Sequence, residues 1–345
     1  MSMMEDAAVL VEVTRGDIVE SRHRGMIAVV TGQGDVIARL GDIEFVTFLR
    51  SSAKPFQAIP LVASGAFAHF GLSQRELALI VGSHSGQSIH TEAVSGLLAR
   101  IGLDASALKC GIHPPLDRET ADRLGPEGAT VLHNNCSGKH AGMLALCRFL
   151  GHDLTNYDHP DHPVQRQISK YVAQFAAIEP EAMATGEDGC GVPTFAVTIR
   201  QMALMYARLV APLDGEWEKP VVDACAQIVK AMLAFPEMVG GTRGRLDTEL
   251  MNLARGRLIA KLGAEGVYTV GVRPDEQYPH GLGIAVKIED GDDRRVRGMV
   301  LIEVLRQLDL LDEAQLAALE GQRHRPVKNH RGETVGHIRP VFRLY

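Results

Sequence analysis

Five short segments carry residues whose types and spacing suit chemistry. In Arg50-Ser-Ser-Ala-Lys54 a serine and a lysine stand three apart where a helix is expected to begin. Positions three apart share a helical face, so Ser51 and Lys54 can approach each other at its first turn. A serine hydroxyl is a poor nucleophile until a base removes its proton. A lysine kept neutral by burial or by a second cation is such a base. Pro55 is compatible with that turn, whose N–H groups lack intrahelical acceptors in any case. The plain alternative is a serine cap beside an exposed lysine.

The second segment, Gly82-Ser-His-Ser-Gly86, follows the apolar run Leu77–Val81 and reads as a strand ending in small hydroxyl residues at a sheet edge. With His84 at its centre it is not the Gly-x-Ser-x-Gly elbow of hydrolases, and a simple glycine turn accounts for it equally well. The third, Lys261-Leu-Gly263, precedes an expected strand, and a surface lysine in a loop is its ordinary reading.

Asn134-Asn-Cys-Ser-Gly-Lys-His140 is the most unusual segment. It is not a phosphate-binding loop, because position 133 is His rather than Gly and His follows the lysine. A helix starting near Ser137 would gather Cys136, Lys139 and His140 on one side. The fifth segment, Asp188-Gly-Cys-Gly-Val-Pro193, supplies another cysteine in a polar turn. Two thiolates, a nitrogen ligand and water suit zinc, and chemistry alone would choose His140 or His133 as the nitrogen. Two unrelated buried thiols are the alternative.

The elements that must position these segments follow a simple order. Val9–Val13, Met26–Val30 and Val36–Leu40 read as strands, the last two joined by a turn at Thr31–Asp35. Lys54–Phe67 has helical spacing, and Ser73-Gln-Arg-Glu76 is a capping-box pattern. Ile89–Ile101, Ser137–Leu150, Val164–Ile178 and Val197–Val210 read as further helices, and Cys147 and Cys225 as helix-core residues. Strands return at Val267–Val272, Gly283–Ile288 and Arg295–Val300, with a turn at Glu289–Asp293. A helix over Leu301–Leu310 and two strands around Asn329-His-Arg-Gly-Glu333 complete the reading. Strands at both ends and helices between them predict one α/β domain over 1–345. Its sheet part spans about 1–85 and 255–345, its helical part about 86–254.

The composition is that of a globular chain: 345 residues, 46% hydrophobic, 23% charged and 5% aromatic. The 36 basic and 42 acidic residues, net −6, argue against a general nucleic-acid or anionic-membrane surface. No apolar run approaches the roughly 18–20 residues that span a bilayer. The acidic, then strand-like start Met1–Val13 does not resemble a signal peptide, and five irregularly spaced cysteines favour reduced thiols. A cytoplasmic location is therefore expected. Only nine of the 36 basic residues are lysines, which makes three of them inside candidate segments informative. Arginine stays protonated and can serve neither as base nor as ligand.

Taken together, these segments resemble the rhizobial-type (class 3) L-asparaginases, the L-asparaginase II family. The likeness rests on Arg50–Gln57, Gly82–Gly86, His133–Gly142, Asp188–Pro193 and Lys261-Leu-Gly-Ala-Glu-Gly266, with Asn329–Glu333 fitting too. The resemblance implies the α/β fold of serine β-lactamases, penicillin-binding proteins and glutaminases, with a mostly antiparallel sheet and a helical subdomain. It also implies a homodimer that hydrolyses L-asparagine to L-aspartate and ammonia. It pairs Ser51 with Lys54 and Ser83 with Lys261, and assigns zinc to Cys136, Lys139, Cys190 and water. Arg50 and Asp188 are the candidates for binding the charged ends of the substrate, with His140 close by. A glutaminase, a β-lactam hydrolase of the same fold and an inactive zinc-binding regulatory protein are the competing expectations.

Overall fold

The computed structural model describes residues 7–213, 215–292 and 294–345. The opening Met1–Asp6 of the acidic start and Asp293, the last residue of the expected turn, lie outside the described residues. Eleven strands are present among the described residues: β1 (Ala8–Arg15), β2 (Ile18–Thr31), β3 (Val36–Leu40), β4 (Val46–Phe48), β5 (Thr185–Glu187), β6 (Pro193–Thr198), β7 (Leu258–Leu262), β8 (Val267–Val272), β9 (Leu282–Ile288), β10 (Arg325–Lys328) and β11 (Thr334–Pro340). The main sheet runs β10-β11-β1-β2-β9-β8-β7, with β3 also on β2, and every pair is antiparallel. β1 takes the first half of the long β2 and β3 the second. This is the α/β architecture expected, a mostly antiparallel sheet assembled from both ends of the chain. A small second sheet, β4-β6-β5, lies apart from it.

The central strands are buried on both faces. Every residue of β8 and β9, and Met26–Val30 of β2, is buried, so they read as apolar runs rather than alternating ones. The helix Ile199–Val210 covers one face at very close range. A Cβ on Gly283 would fall within 1.7 Å of the Ala203 carbonyl oxygen, so β9 admits only glycine there. The helix Arg297–Gln307 packs on the same strands, and its first residue stacks over Tyr268 on the other face.

Three local expectations are corrected. Arg295–Val300 is not a strand: the helix Arg297–Gln307 occupies it. Its β-branched residues also fall at helical spacing (Val296, Val300, Val304), and burial against the sheet selects that period. Leu77–Val81 is not a strand end but part of the helix Gln74–Ile80, whose Ser73–Glu76 capping box forms in full. Lys54–Phe67 is not one helix; it breaks into Lys54–Gln57, Ile59–Ala63 and Ala66–His69, with prolines in the first turns of the first two. Val197 belongs to β6, which hands over directly to the helix Ile199–Val210.

Candidate active site

Lys54, Ser83 and Lys261 arrive from three distant elements and meet at one atom. Lys54 opens the short helix Lys54–Gln57, where it is buried. Ser83 lies in the turn after the helix Gln74–Ile80, and Lys261 is on β7, opposite Thr269 of β8. Lys54 Nζ lies 2.9 Å and Lys261 Nζ 2.8 Å from Ser83 Oγ. Lys54 also donates to the carbonyls of Gly82 (2.8 Å) and Asn135 (3.1 Å), and Lys261 to that of Leu262 (2.9 Å). Ser51 sits half-buried one turn before Lys54, whose N–H donates to the Ser51 carbonyl. Among the described residues no hydrogen bond joins Lys54 Nζ to the Ser51 hydroxyl; the lysine reaches Ser83 instead.

Both lysines are displaced downward. Burial lowers Lys54, and Lys139 adds to this against the opposing pull of Cys136 and Cys190. Burial lowers Lys261 well below the ordinary lysine value, and the neighbouring Lys54 lowers it further. A hydroxyl with one hydrogen and two nitrogens beside it can donate to one amine while accepting from the other ammonium. Ser83 can thus pass a proton between the two lysines.

The Ser83 turn is gripped from several sides. Its N–H donates to the Val239 carbonyl (2.8 Å), so that group is already engaged. Arg245 donates to the Ser83 carbonyl (2.7 Å), to Ser85 Oγ (3.1 Å) and to the Gly240 carbonyl, while pairing with the buried Asp247 at 3.0 Å. His84 Nδ1 accepts from the Gly86 N–H, which leaves Nε2 to donate to Ser137 Oγ at 2.9 Å. Burial holds His84 neutral, far below its usual value. Its role is to tie this turn to the helix Ser137–Leu150. That helix lies directly on Gln74–Ile80: a Cβ on Gly138 would come within 2.7 Å of the Leu79 carbonyl oxygen.

A second group sits beside the first. Cys136 precedes the helix Ser137–Leu150 and Cys190 lies in the turn between β5 and β6. The donor atoms of Cys136, Asp188 and Cys190 all lie within 4.8 Å of one another. Lys139 Nζ approaches Cys190 Sγ at 3.0 Å, and Asp188 accepts from Arg50 Nε at 2.8 Å. The hydrogen bond from Cys190 lowers the Cys136 thiol well below its usual value despite burial, with Lys54 and Lys139 assisting, and it raises Cys190. Burial opposes the charge on Lys139, yet Cys190, Cys136 and Asp188 outweigh it and raise this lysine. The donor set of two thiols, a carboxylate and an amine suits a zinc-sized ion once the thiols and the amine lose their protons.

The two histidines that chemistry alone favoured as ligands lie elsewhere. His140 is buried with Nδ1 2.7 Å from the Tyr157 hydroxyl, and its Nε2 has no hydrogen-bond partner among the described residues. His133 Nδ1 accepts from the Thr130 N–H. Residue-by-residue reading passed over Arg245 and Asp247. The signal was the glycine- and arginine-rich run Gly240-Gly-Thr-Arg-Gly-Arg245, which promises close backbone approach and a planar donor. The apolar groove of about 540 Å³ between the helices Ile199–Val210 and Lys219–Ala234 contains none of these residues.

Comparison with known proteins identifies the family. Among solved structures, native Mglu superposes with a TM-score of 0.44 at 17% identity, covering 85% of this chain and 66% of Mglu. A probable glutaminase from Bacillus subtilis, complexed with 6-diazo-5-oxo-L-norleucine, gives 0.39 at 15% identity, covering 83% of this chain and 85% of that one. A Bacillus glutaminase in 4.3 M NaCl gives 0.37 at 16% identity, covering 83% and 91%. None of the curated proteins compared matches the chain. No helix among the described residues is long and apolar enough to cross a membrane. The model of the family described as L-asparaginase II matches residues 11–340, nearly the whole length. The chain belongs to the L-asparaginase II family, and is therefore an amidohydrolase.

Proposed function

We propose that the chain hydrolyses the side-chain amide of L-asparagine to L-aspartate and ammonia. The observation that carries this reading is Ser83 Oγ lying within 2.9 Å of two buried, depressed lysines, with Ser51 one turn before the first of them. Ser51 Oγ attacks the amide carbon and its proton passes to Lys54. The C–N bond breaks as the departing nitrogen takes the Ser83 hydroxyl proton, and the proton gained by Lys54 refills Ser83, with the neutral Lys261 holding the same hydroxyl. Water then cleaves the acyl-enzyme ester by the same route in reverse. The Ser51 N–H has no acceptor among the described residues, whereas the Ser83 N–H is held by Val239. The oxyanion donor is therefore assigned to Ser51; such a donor contributes roughly 3–4 kcal/mol.

Cys136, Lys139 and Cys190 would hold a zinc ion, with Asp188 beside them. Bound there, the ion would supply a Lewis-acid contact that orients an oxygen of the substrate. The nucleophile and its base need no metal in this scheme. Arg50 takes the α-carboxylate, Asp188 fixes Arg50, and His140 supports the helix that carries Lys139. The homodimer and the cytoplasmic location belong to the same proposal, and sedimentation of the purified chain checks the first of them.

Ammonia release from L-asparagine, L-glutamine and a chromogenic β-lactam tests the reading directly. Asparagine is expected to be turned over fastest. Faster glutamine turnover would make the chain a glutaminase. Zinc binding without cleavage of any amide would make it a regulatory protein. Ser51→Ala is expected to lower kcat by about 10⁴-fold or more; turnover near that of the native chain would remove Ser51 as nucleophile.

A further inference from the structure

We infer that Thr269, buried on β8, is a positioning residue for the proposed reaction: its hydroxyl fastens the turn that carries Ser51 to the strand that carries Lys261. The inference rests on the asparaginase reading and adds to it a residue that the proposed proton transfers do not use.

Ser51 belongs to the short turn of helix Arg50–Ala53, which is entered through an unusual backbone conformation, Arg50 having a φ of 49°. Such a conformation persists where the surrounding structure holds it. Ser52, the residue after Ser51, is fully buried, as are Thr269 and Tyr206. The Tyr206 hydroxyl donates to the Ser52 carbonyl at 2.9 Å and fixes the backbone there. Thr269 Oγ1 lies 2.9 Å from the Lys261 carbonyl oxygen and 3.2 Å from Ser52 Oγ. A hydroxyl has one hydrogen to give, and a carbonyl can only accept. Thr269 therefore donates to Lys261, and Ser52 donates to Thr269. The chain of hydrogen bonds runs in one direction, from the turn to the strand.

Both ends of this link belong to the proposed machinery. One is the neighbour of the proposed nucleophile, and the other is the backbone of the residue whose Nζ holds Ser83 Oγ at 2.8 Å. The turn and β7 also approach closely just beyond it, since a Cβ on Gly263 would come within 2.9 Å of the Leu49 carbonyl oxygen. That contact lets the turn rest on the strand, and the hydroxyls set where it rests. Without Thr269 Oγ1 the buried Ser52 hydroxyl loses this acceptor, and an unsatisfied donor drives the turn to shift. A displacement of about 1 Å at reacting groups costs on the order of 10²-fold in rate, so the link acts on kcat rather than on substrate affinity.

Thr269→Val keeps the shape and removes the hydroxyl, and Thr269→Ser keeps the hydroxyl on a smaller side chain. In steady-state kinetics on L-asparagine, Thr269→Val is expected to lower kcat about 10-fold with KM within about two-fold of the native value, and Thr269→Ser to recover kcat to within about three-fold. Ser52→Ala breaks the same link from its other end. It should lose about as much, and the double variant no more than either single one. A kcat within about two-fold of native in Thr269→Val, a loss carried by KM, or losses that multiply in the double variant would overturn the inference. Where Thr269→Val does not fold, Ser52→Ala is judged by the same limits. If the native chain releases no ammonia from asparagine, the asparaginase reading fails by itself. Crystal structures of the native chain and of Ser52→Ala then decide the present point. Displacement of Ser51 from Lys261 by about 0.5 Å or more upholds it, and an unmoved turn overturns it.

Discussion

Three buried lysines stand within one pocket, and they are pushed in opposite directions. Lys54 and Lys261 contact a hydroxyl and carbonyl oxygens, and although Cys136 and Cys190 pull Lys54 upward and Asp247 pulls Lys261 upward, burial prevails and their charged forms are disfavoured. Lys139 is as deeply buried, but it faces two thiols and a carboxylate that favour its charge. Burial alone therefore does not decide what a lysine does. Where burial outweighs the nearby anions the lysine is left able to act as a base, and where the anions outweigh burial it is held charged as their counter-ion.

The sharpest way to break this contrast is at Lys261. Lys261→Met is expected to lower kcat by about 10²- to 10⁴-fold, the range of a lost acid–base group. It should also raise Tm at neutral pH. Because burial lowers Lys261 in the folded state, the unfolded chain binds the extra proton, and native stability rises with pH up to the ordinary lysine value. The native protein should gain Tm between pH 7 and 10 more steeply than the variant, and thermal melts across that range check it. Parallel slopes would mean that Lys261 titrates normally.

Lys139 tests the opposite arm. Removing zinc with a chelator is expected to raise KM about 10-fold, with a smaller fall in kcat. Complete loss of turnover with folding intact would point to metal-hydroxide chemistry instead. Lys139→Arg keeps the charge but cannot ligate. If the lysine serves only as counter-ion to the thiols, Lys139→Arg should retain metal content and KM; if it is a ligand, both should suffer as in Lys139→Met. Metal content by mass spectrometry separates the two.

The smallest effect is expected at Arg245, which touches the Ser83 turn rather than either lysine head. Arg245→Lys should lower kcat by about 10-fold with KM little changed, since a single ammonium cannot replace both Nη1, which holds the Ser83, Ser85 and Gly240 oxygens, and Nη2, which pairs with Asp247. A KM effect instead would assign Arg245 to substrate binding.

What could be read from the sequence was local. The helix Ser137–Leu150 and the strand Val267–Val272 stand where their own apolar spacing puts them, and the Ser73–Glu76 cap is complete in four residues. The motifs carrying Lys54, Ser83, Cys136, Lys139, Cys190 and Lys261 were legible because scarce residue types fell in short glycine-rich contexts. What escaped depends on closure in space. Lys261 looked like a loop lysine because Leu258–Leu262 is a strand buried on both faces, where no alternation marks the inward positions. Whether Lys54 reaches Ser51 or Ser83 is set by where the helix Gln74–Ile80 ends against Val239, not by the three-residue spacing. Arg245 reaches Ser83 across 162 positions of chain, and no local pattern encodes that contact.

The main sheet joins β1 to β11, setting Val11 opposite Pro340, and its inner strands pair β2 with β9. Ser83 meets Lys261 over a separation of 178 residues. During synthesis, Lys54 and Ser83 therefore emerge long before the lysine that completes their trio, and β11, the partner of β1, comes last. Contacts of such long range fold slowly, because loop closure precedes any reward from pairing. On the proposed mechanism, a ribosome-bound chain that already carries Ser51 and Ser83 still lacks Lys261, so amidase activity waits until β7 has emerged and met them.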